Sequence, residues 1–190
     1  HPDPSVKRQS GFLMPELGSS STLGDSVYTP YFHVISDDKD ITIKPTLFNS
    51  KKFVLQNEFR QMTKSSYTIA DFSIAKGHHS SSIDREDTRG HLFANSKINL
   101  GWKNYLDSKL EINFEKSSND TYLKLFNFES PIFLENTFDS LESRIKLDLE
   151  HEDYDFTGSI EMYETLSGKN NDRYQYALPT YNFSKNFFPE

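Results

Sequence analysis

Cysteine is absent from the 190 residues, so disulfides and thiol chemistry play no part in this stretch. The absence suits many compartments and selects none. No apolar run approaches the roughly 18 residues that a transmembrane helix needs. No secretory leader is present, and the chain begins with His1 rather than Met. It therefore reads as a fragment or a processed product, in which a missing leader says nothing about export. Basic residues never run beyond two in succession, and the formal net charge is −7. A nucleic-acid binder normally carries a basic patch, so none is expected here. Gly-x-Ser-x-Gly, phosphate-cradling glycine loops and His-Glu-x-x-His are all missing. Asp, Ser and His occur without any spacing that pairs them, so neither an enzyme nor a cofactor is expected.

What is abundant is aromatic: sixteen Phe, ten Tyr and one Trp, 14% of the chain, in a sequence only 35% hydrophobic. Disordered chains are poor in aromatics. Phe and Tyr among many Ser, Thr and Asn suit strands with one apolar and one wet face. The dominant period is two. In KLEINFEK, Leu110, Ile112 and Phe114 alternate with Lys109, Glu111, Asn113 and Glu115. In RIKLDLE, Ile145, Leu147 and Leu149 alternate with Arg144, Lys146, Asp148 and Glu150. This pattern predicts an all-β antiparallel meander of about ten strands, over 12–20, 24–35, 40–48, 52–63, 66–76, 89–102, 107–116, 140–150, 154–165 and 174–187. One short helix is expected near 121–128, inside a long connection.

The longer connections, 76–88, 117–139 and 166–173, fall on one side of the sheet. Outer-membrane barrels are built with short turns at one end and long loops at the other. Their strands are about 9–11 residues long. A soluble lipocalin-like barrel alternates in the same way. Periodicity alone does not say whether the apolar face turns inward or outward, and both readings stay open at this point. The charged strand face carries Glu58, Arg60, Lys109, Glu111, Arg144 and Lys146, which would line a wet lumen if the apolar face meets lipid. His78-His79 lies in a Ser-rich stretch without further metal ligands at suitable spacing. Asp37-Asp38-Lys39-Asp40 lacks the Gly and distal Glu of a calcium loop, so both are expected to be polar connections. Asn119 and Asn182 head short glycosylation-like triplets that carry no weight alone.

Three prolines stand out. Pro15, Pro30 and Pro45 follow one another at fifteen-residue intervals inside strand-like runs. Proline donates no ladder hydrogen bond and is normally kept to edges and bulges. The surrounding sequence resembles the start of the barrel in the LPS-assembly outer-membrane protein family LptD. The matching residues are Lys7-Arg8, Ser10 to Pro15, Pro30-Tyr31-Phe32, Thr42-Ile43-Lys44-Pro45 and Glu58-Phe59-Arg60. Tyr122-Leu123 and the segment 174–184 resemble it more loosely, and the lead-in HPDPSVKR resembles the alphaproteobacterial branch. His33 stands where many relatives carry Trp.

The resemblance implies an outer-membrane lipopolysaccharide translocon, in the cell outer membrane of a Gram-negative bacterium. Residues 1–11 would be the linker from a periplasmic jelly-roll domain. Residues 12–190 would be the N-terminal portion of a large transmembrane β-barrel, an open sheet by themselves. The implied partners are a LptE-type lipoprotein plug inside the barrel, a LptA-type periplasmic bridge reached through the jelly roll, and lipopolysaccharide. Lipopolysaccharide would leave through a lateral gate between the first and last strands, with Pro15 and Pro30 weakening that seam. A soluble lipocalin-like barrel for a small apolar ligand is the alternative, and a general porin a third possibility that leaves the prolines unexplained.

Overall fold

A computed structural model describes residues 8–49, 52–80, 83–128, 130–132, 139–167 and 173–185. The strands are β1 (Gly11–Phe12), β2 (Glu16–Ser20), β3 (Gly24–Tyr28), β4 (Tyr31–Ser36), β5 (Lys39–Phe48) and β6 (Phe53–Met62). They continue with β7 (Ser66–Ser80), β8 (Ile83–Asn99), β9 (Asp107–Ser117), β10 (Ser140–Glu150), β11 (Tyr154–Thr165) and β12 (Tyr174–Lys185). One helix, α1 (Tyr122–Phe126), lies between β9 and β10. All strands join one antiparallel sheet in the order β1-β4-β5-β6-β7-β8-β9-β10-β11-β12, with β2 on β3 and β3 on β5. Among the described residues the sheet does not close on itself. No helix among them is long and apolar enough to cross a membrane.

Two departures from the sequence reading have plain causes. The runs 12–20 and 24–35 are each split in two, at Pro15 and Pro30, because a residue without N–H interrupts the ladder. The expected loop 76–88 is instead a hairpin extension. His78 registers with Asp87 and His79 with Glu86, after a register shift beyond Ala75. The His pair thus belongs to a strand, not a loop. Polar side chains do not prevent strand pairing, which is a backbone matter. The segments 107–116, 140–150 and 154–165 form strands almost as read.

The two faces of the sheet are opposite in character. Cross-strand partners share a face. The register links Phe72 with Leu92, Ala94 with Phe114, Ile112 with Ile145, and Ile145 with Ile160. Most of these side chains are bare: Leu92 is 44% exposed, Ile145 51% and Ile160 56%, while Ala94 and Ile112 are half-buried. The other face runs through Thr42, Glu58, Asp71, Phe93 and Glu115. There Asp71 is fully buried, and Thr42, Ser73, His91, Glu115 and Ser117 are buried as well. Apolar groups outside and polar groups covered invert the arrangement of a water-soluble sheet.

The cover is the connection between β9 and β10. Its helix is a single turn. Asn119 Oδ1 accepts the Tyr122 N–H at 2.8 Å, and Asn127 ends the turn in the left-handed region at φ 47°. Tyr122, Leu123 and Phe128 pack with Val54, Ala75 and Phe93 of the polar face. Burying each such side chain contributes about 1.5–3 kcal/mol. That holds the connection down over β6, β7 and β8.

Candidate functional site

The fifteen-residue spacing acquires a spatial meaning. Tyr28 registers with Thr46 and Tyr31 with Ile43, so Thr29-Pro30 stands opposite Lys44-Pro45. Glu16 registers with Tyr28 and Phe12 with Tyr31, so Leu13-Met14-Pro15 stands opposite Thr29-Pro30 from the other side. The three prolines therefore form one row across neighbouring segments. The carbonyls of Pro30 and Pro45 still accept: Leu13 N–H donates to Pro30 O at 2.9 Å, and Thr29 N–H to Pro45 O at 3.3 Å. Their nitrogens donate nothing. Beyond the row β1 keeps only two registered partners, Gly11 with Phe32 and Phe12 with Tyr31. Phe12, Met14 and Leu17 along this border are exposed.

The charged candidates share the polar face but form two clusters. In the first, buried Asp40 sits between Arg8 and Arg60, with Arg60 Nε 2.9 Å from its Oδ1. Lys44 Nζ reaches Glu58 Oε2 at 3.1 Å. Lys7 of the basic pair lies outside the described residues. In the second, Glu111 lies 3.9 Å from both Lys97 Nζ and an Arg144 guanidinium nitrogen, Lys146 pairs with Asp148 at 2.9 Å, and Lys109 pairs with Asp107. Apart from the buried Asp40 carboxylate these groups are partly exposed, and solvent screens their attraction. Their importance is chemical: they present mixed charge on a wet surface.

Between the clusters lies a buried network that sequence reasoning missed. Ser73 Oγ is 2.6 Å from His91 Nδ1 and 2.8 Å from the Tyr122 hydroxyl. His91 Nε2 is 3.5 Å from Asp71 Oδ1, and Gln56 Nε2 donates to the same carboxylate at 3.0 Å. The His91 ring packs against Phe93 and Phe128, with centroids 4.5 and 4.8 Å away. Asp, His and Ser meet here under a lid: Tyr122 caps Ser73 and all three groups are buried. The trio ties α1 to the sheet. Burial pushes the Tyr122 phenol up to about 12, so it remains a neutral donor or acceptor at neutral pH. One signal was available in the sequence: Asp71 is the single charge in SYTIADFSIA (66–75).

A second buried carboxylate replaces a backbone acceptor. Where the β9–β10 register ends at Asn113 and Arg144, Glu115 Oε2 takes the Glu142 N–H at 2.7 Å. A lost ladder partner is thereby restored by a side chain. Among the described residues no group of His, Asp and Glu is arranged to hold a metal ion.

No protein-family model matches the chain. Curated relatives do, and they bear the name LPS-assembly protein LptD. The protein from Legionella pneumophila (strain Paris) is 26% identical over 168 residues, covering 84% of this chain and 20% of that protein. The one from Pseudomonas fluorescens is 30% identical over 122 residues, 62% of this chain and 12% of the relative. The one from Ectopseudomonas mendocina is 43% identical over 60 residues, 32% of this chain and 6% of the relative. The chain spans a fifth or less of the length of these relatives. Its sequence is LptD-like over most of its length.

Proposed function

We propose that this chain is part of an outer-membrane β-barrel that assembles lipopolysaccharide at the surface of a Gram-negative cell. The observation that carries the reading is the inverted polarity of the sheet. Ile145 and Ile160 stand bare while Asp71 and His91 are covered, which suits lipid outside and water inside. A charge on a lipid-facing strand surface costs about 2–4 kcal/mol at mid-depth for Arg or Lys. The likeness to proteins named for LPS assembly supplies the cargo. A soluble lipocalin-like barrel would place the apolar face inward and is disfavoured by the same observation.

In this reading residues 1–11 lead in from a periplasmic domain and 12–190 begin the barrel. Glu58, Arg60, Lys109, Glu111, Arg144 and Lys146 line a wet lumen shared with a LptE-type lipoprotein. A LptA-type bridge delivers lipopolysaccharide from the periplasmic side. The alphaproteobacterial affinity of the lead-in belongs to the same proposal. Pro15 and Pro30 act as gating residues: the row they form leaves the N-terminal border with few ladder bonds, so that border parts at low cost and lipid leaves sideways. Each missing rung is worth about 1 kcal/mol in water, and more where water is excluded.

The test uses the full-length parent protein in a depletion strain. Pro15→Ala, Pro30→Ala and the double variant are scored for lipopolysaccharide at the cell surface and for barrel assembly. Reduced surface lipopolysaccharide with normal assembly is the expected result. Unchanged export in the double variant sinks the gating role, and unchanged surface lipopolysaccharide after depletion of the protein itself sinks the assembly role.

A further inference from the structure

We propose that the outward, apolar face carries a binding site for a membrane lipid with an anionic phosphomonoester headgroup, at the sheet end where β9 stops and β12 begins. This rests on the membrane-barrel reading above but concerns a place far along the sheet from the proline row. A cavity of about 730 Å³ opens there. Its floor is Ile74, Leu92 and Phe114, and its rim is Lys116, Arg173 and Tyr174. The register puts Leu92 beside Lys116, and Ile74 beside Gly90, on the exposed face. Ile74 and Leu92 are each more than two-fifths bare. Acyl chains suit that floor.

The rim is built rather than incidental. Glu164 has no exposed side-chain surface, and it holds both cations. Lys116 Nζ is 2.8 Å from its Oε2, and Arg173 Nε and Nη2 lie 2.8 and 2.6 Å from its Oε1. Arg173 is also paired with Asp120. Lys116 Nζ further bonds the Tyr174 hydroxyl at 2.6 Å and stands 4.6 Å over that ring. An ammonium offers three donors and a guanidinium five, so both cations keep N–H groups beyond these bonds. Glu164 and Asp120 balance the two cations, so what the rim offers a headgroup phosphate is their remaining N–H donors, held in place over a bare apolar floor with an aromatic at the boundary. A water-soluble phosphate would gain nothing from Ile74, Leu92 and Phe114. A neutral lipid would gain nothing from the cations.

The full-length parent protein is reconstituted in phosphatidylcholine nanodiscs doped with bisphosphorylated lipid A, or with the same lipid stripped of its phosphates. Lipid retained per protein after transfer to detergent is read by native mass spectrometry. The phosphorylated form is expected to be retained and the stripped form lost. Lys116→Gln is expected to lower retention about fivefold, the effect of one surface cation on an anionic lipid. Lys103→Gln, in the β8–β9 turn at the opposite end of the strands, leaves it unchanged. Equal retention of the two lipids by the unaltered protein overturns the proposal without recourse to any variant, and so does full retention in an assembled Lys116→Gln protein. The measurement requires no transport. A negative result therefore removes this site alone, whereas the assembly role stands or falls with surface lipopolysaccharide.

Discussion

Between Gly11 and Ser36 no strand exceeds six residues, whereas β10 and β11 run in continuous register over eleven residues. Both regions alternate polar and apolar side chains. They differ in ladder continuity and in what lies on top. The N-terminal corner is cut along the row of Pro15, Pro30 and Pro45 and leaves Phe12, Met14 and Leu17 bare. Farther along, the sheet over β6, β7 and β8 is covered by Tyr122, Leu123 and Phe128 and tied down through Ser73, His91 and Asp71. Alternation thus sets which face a residue occupies, and stability is distributed by ladder breaks and by cover.

The contrast is broken most strongly by removing the cover. Tyr122→Ala deletes a fully buried ring and its bond to Ser73. It is expected to cost about 3–5 kcal/mol, against about 1 kcal/mol for Tyr122→Phe, which loses the hydrogen bond alone. Thermal unfolding of the full-length parent protein in detergent measures both, and equal losses for the two would mean that the ring is not packed as described.

Next in size is Gly90→Ala. A β-carbon there would meet the Ser73 carbonyl oxygen at 2.4 Å, so the β7–β8 ladder must spread. About 1–3 kcal/mol is expected, with faster amide exchange around Ser73. An unchanged melting temperature and exchange pattern would count against so close an approach.

The smallest effect on stability, and the sharpest on the comparison, comes from the prolines. Replacing Pro15 and Pro30 by Ala returns two backbone donors to the corner. Overall stability should change by less than about 1 kcal/mol, while amide exchange slows across 11–36 and the corner approaches the rest of the sheet. Exchange there that is as fast as in the unaltered protein would mean that sequence elsewhere, not proline, loosens this border.

Much of this molecule was legible in advance where a strand is straight and one of its faces is uniformly apolar. The segment 140–150 read true because Ile145, Leu147 and Leu149 alternate with charge without interruption. The short helix was legible from its place in a long connection. The hairpin extension through His78 and His79 was not, because its pairing is made by backbone groups that polar side chains do not advertise. Nor was the meeting of Asp71, Ser73, His91 and Tyr122, or of Lys116, Glu164 and Arg173. In each group the partners sit on different strands or connections, far apart in the chain, and none is at a spacing that signals chemistry.

The amino-acid sequence by itself determined the all-β character, the period of two and the fifteen-residue recurrence of proline, because each is a local property of backbone and side chain. Only the tertiary structure decided which face is covered. An alternating strand is the same object whichever way it faces, and that choice was made when the β9–β10 connection laid Tyr122, Leu123 and Phe128 across the polar side and left Ile145 and Ile160 outside. The alignment of the three prolines into one row was likewise settled by register. Turn lengths between strands fix which residues stand opposite one another, and no single segment contains that information.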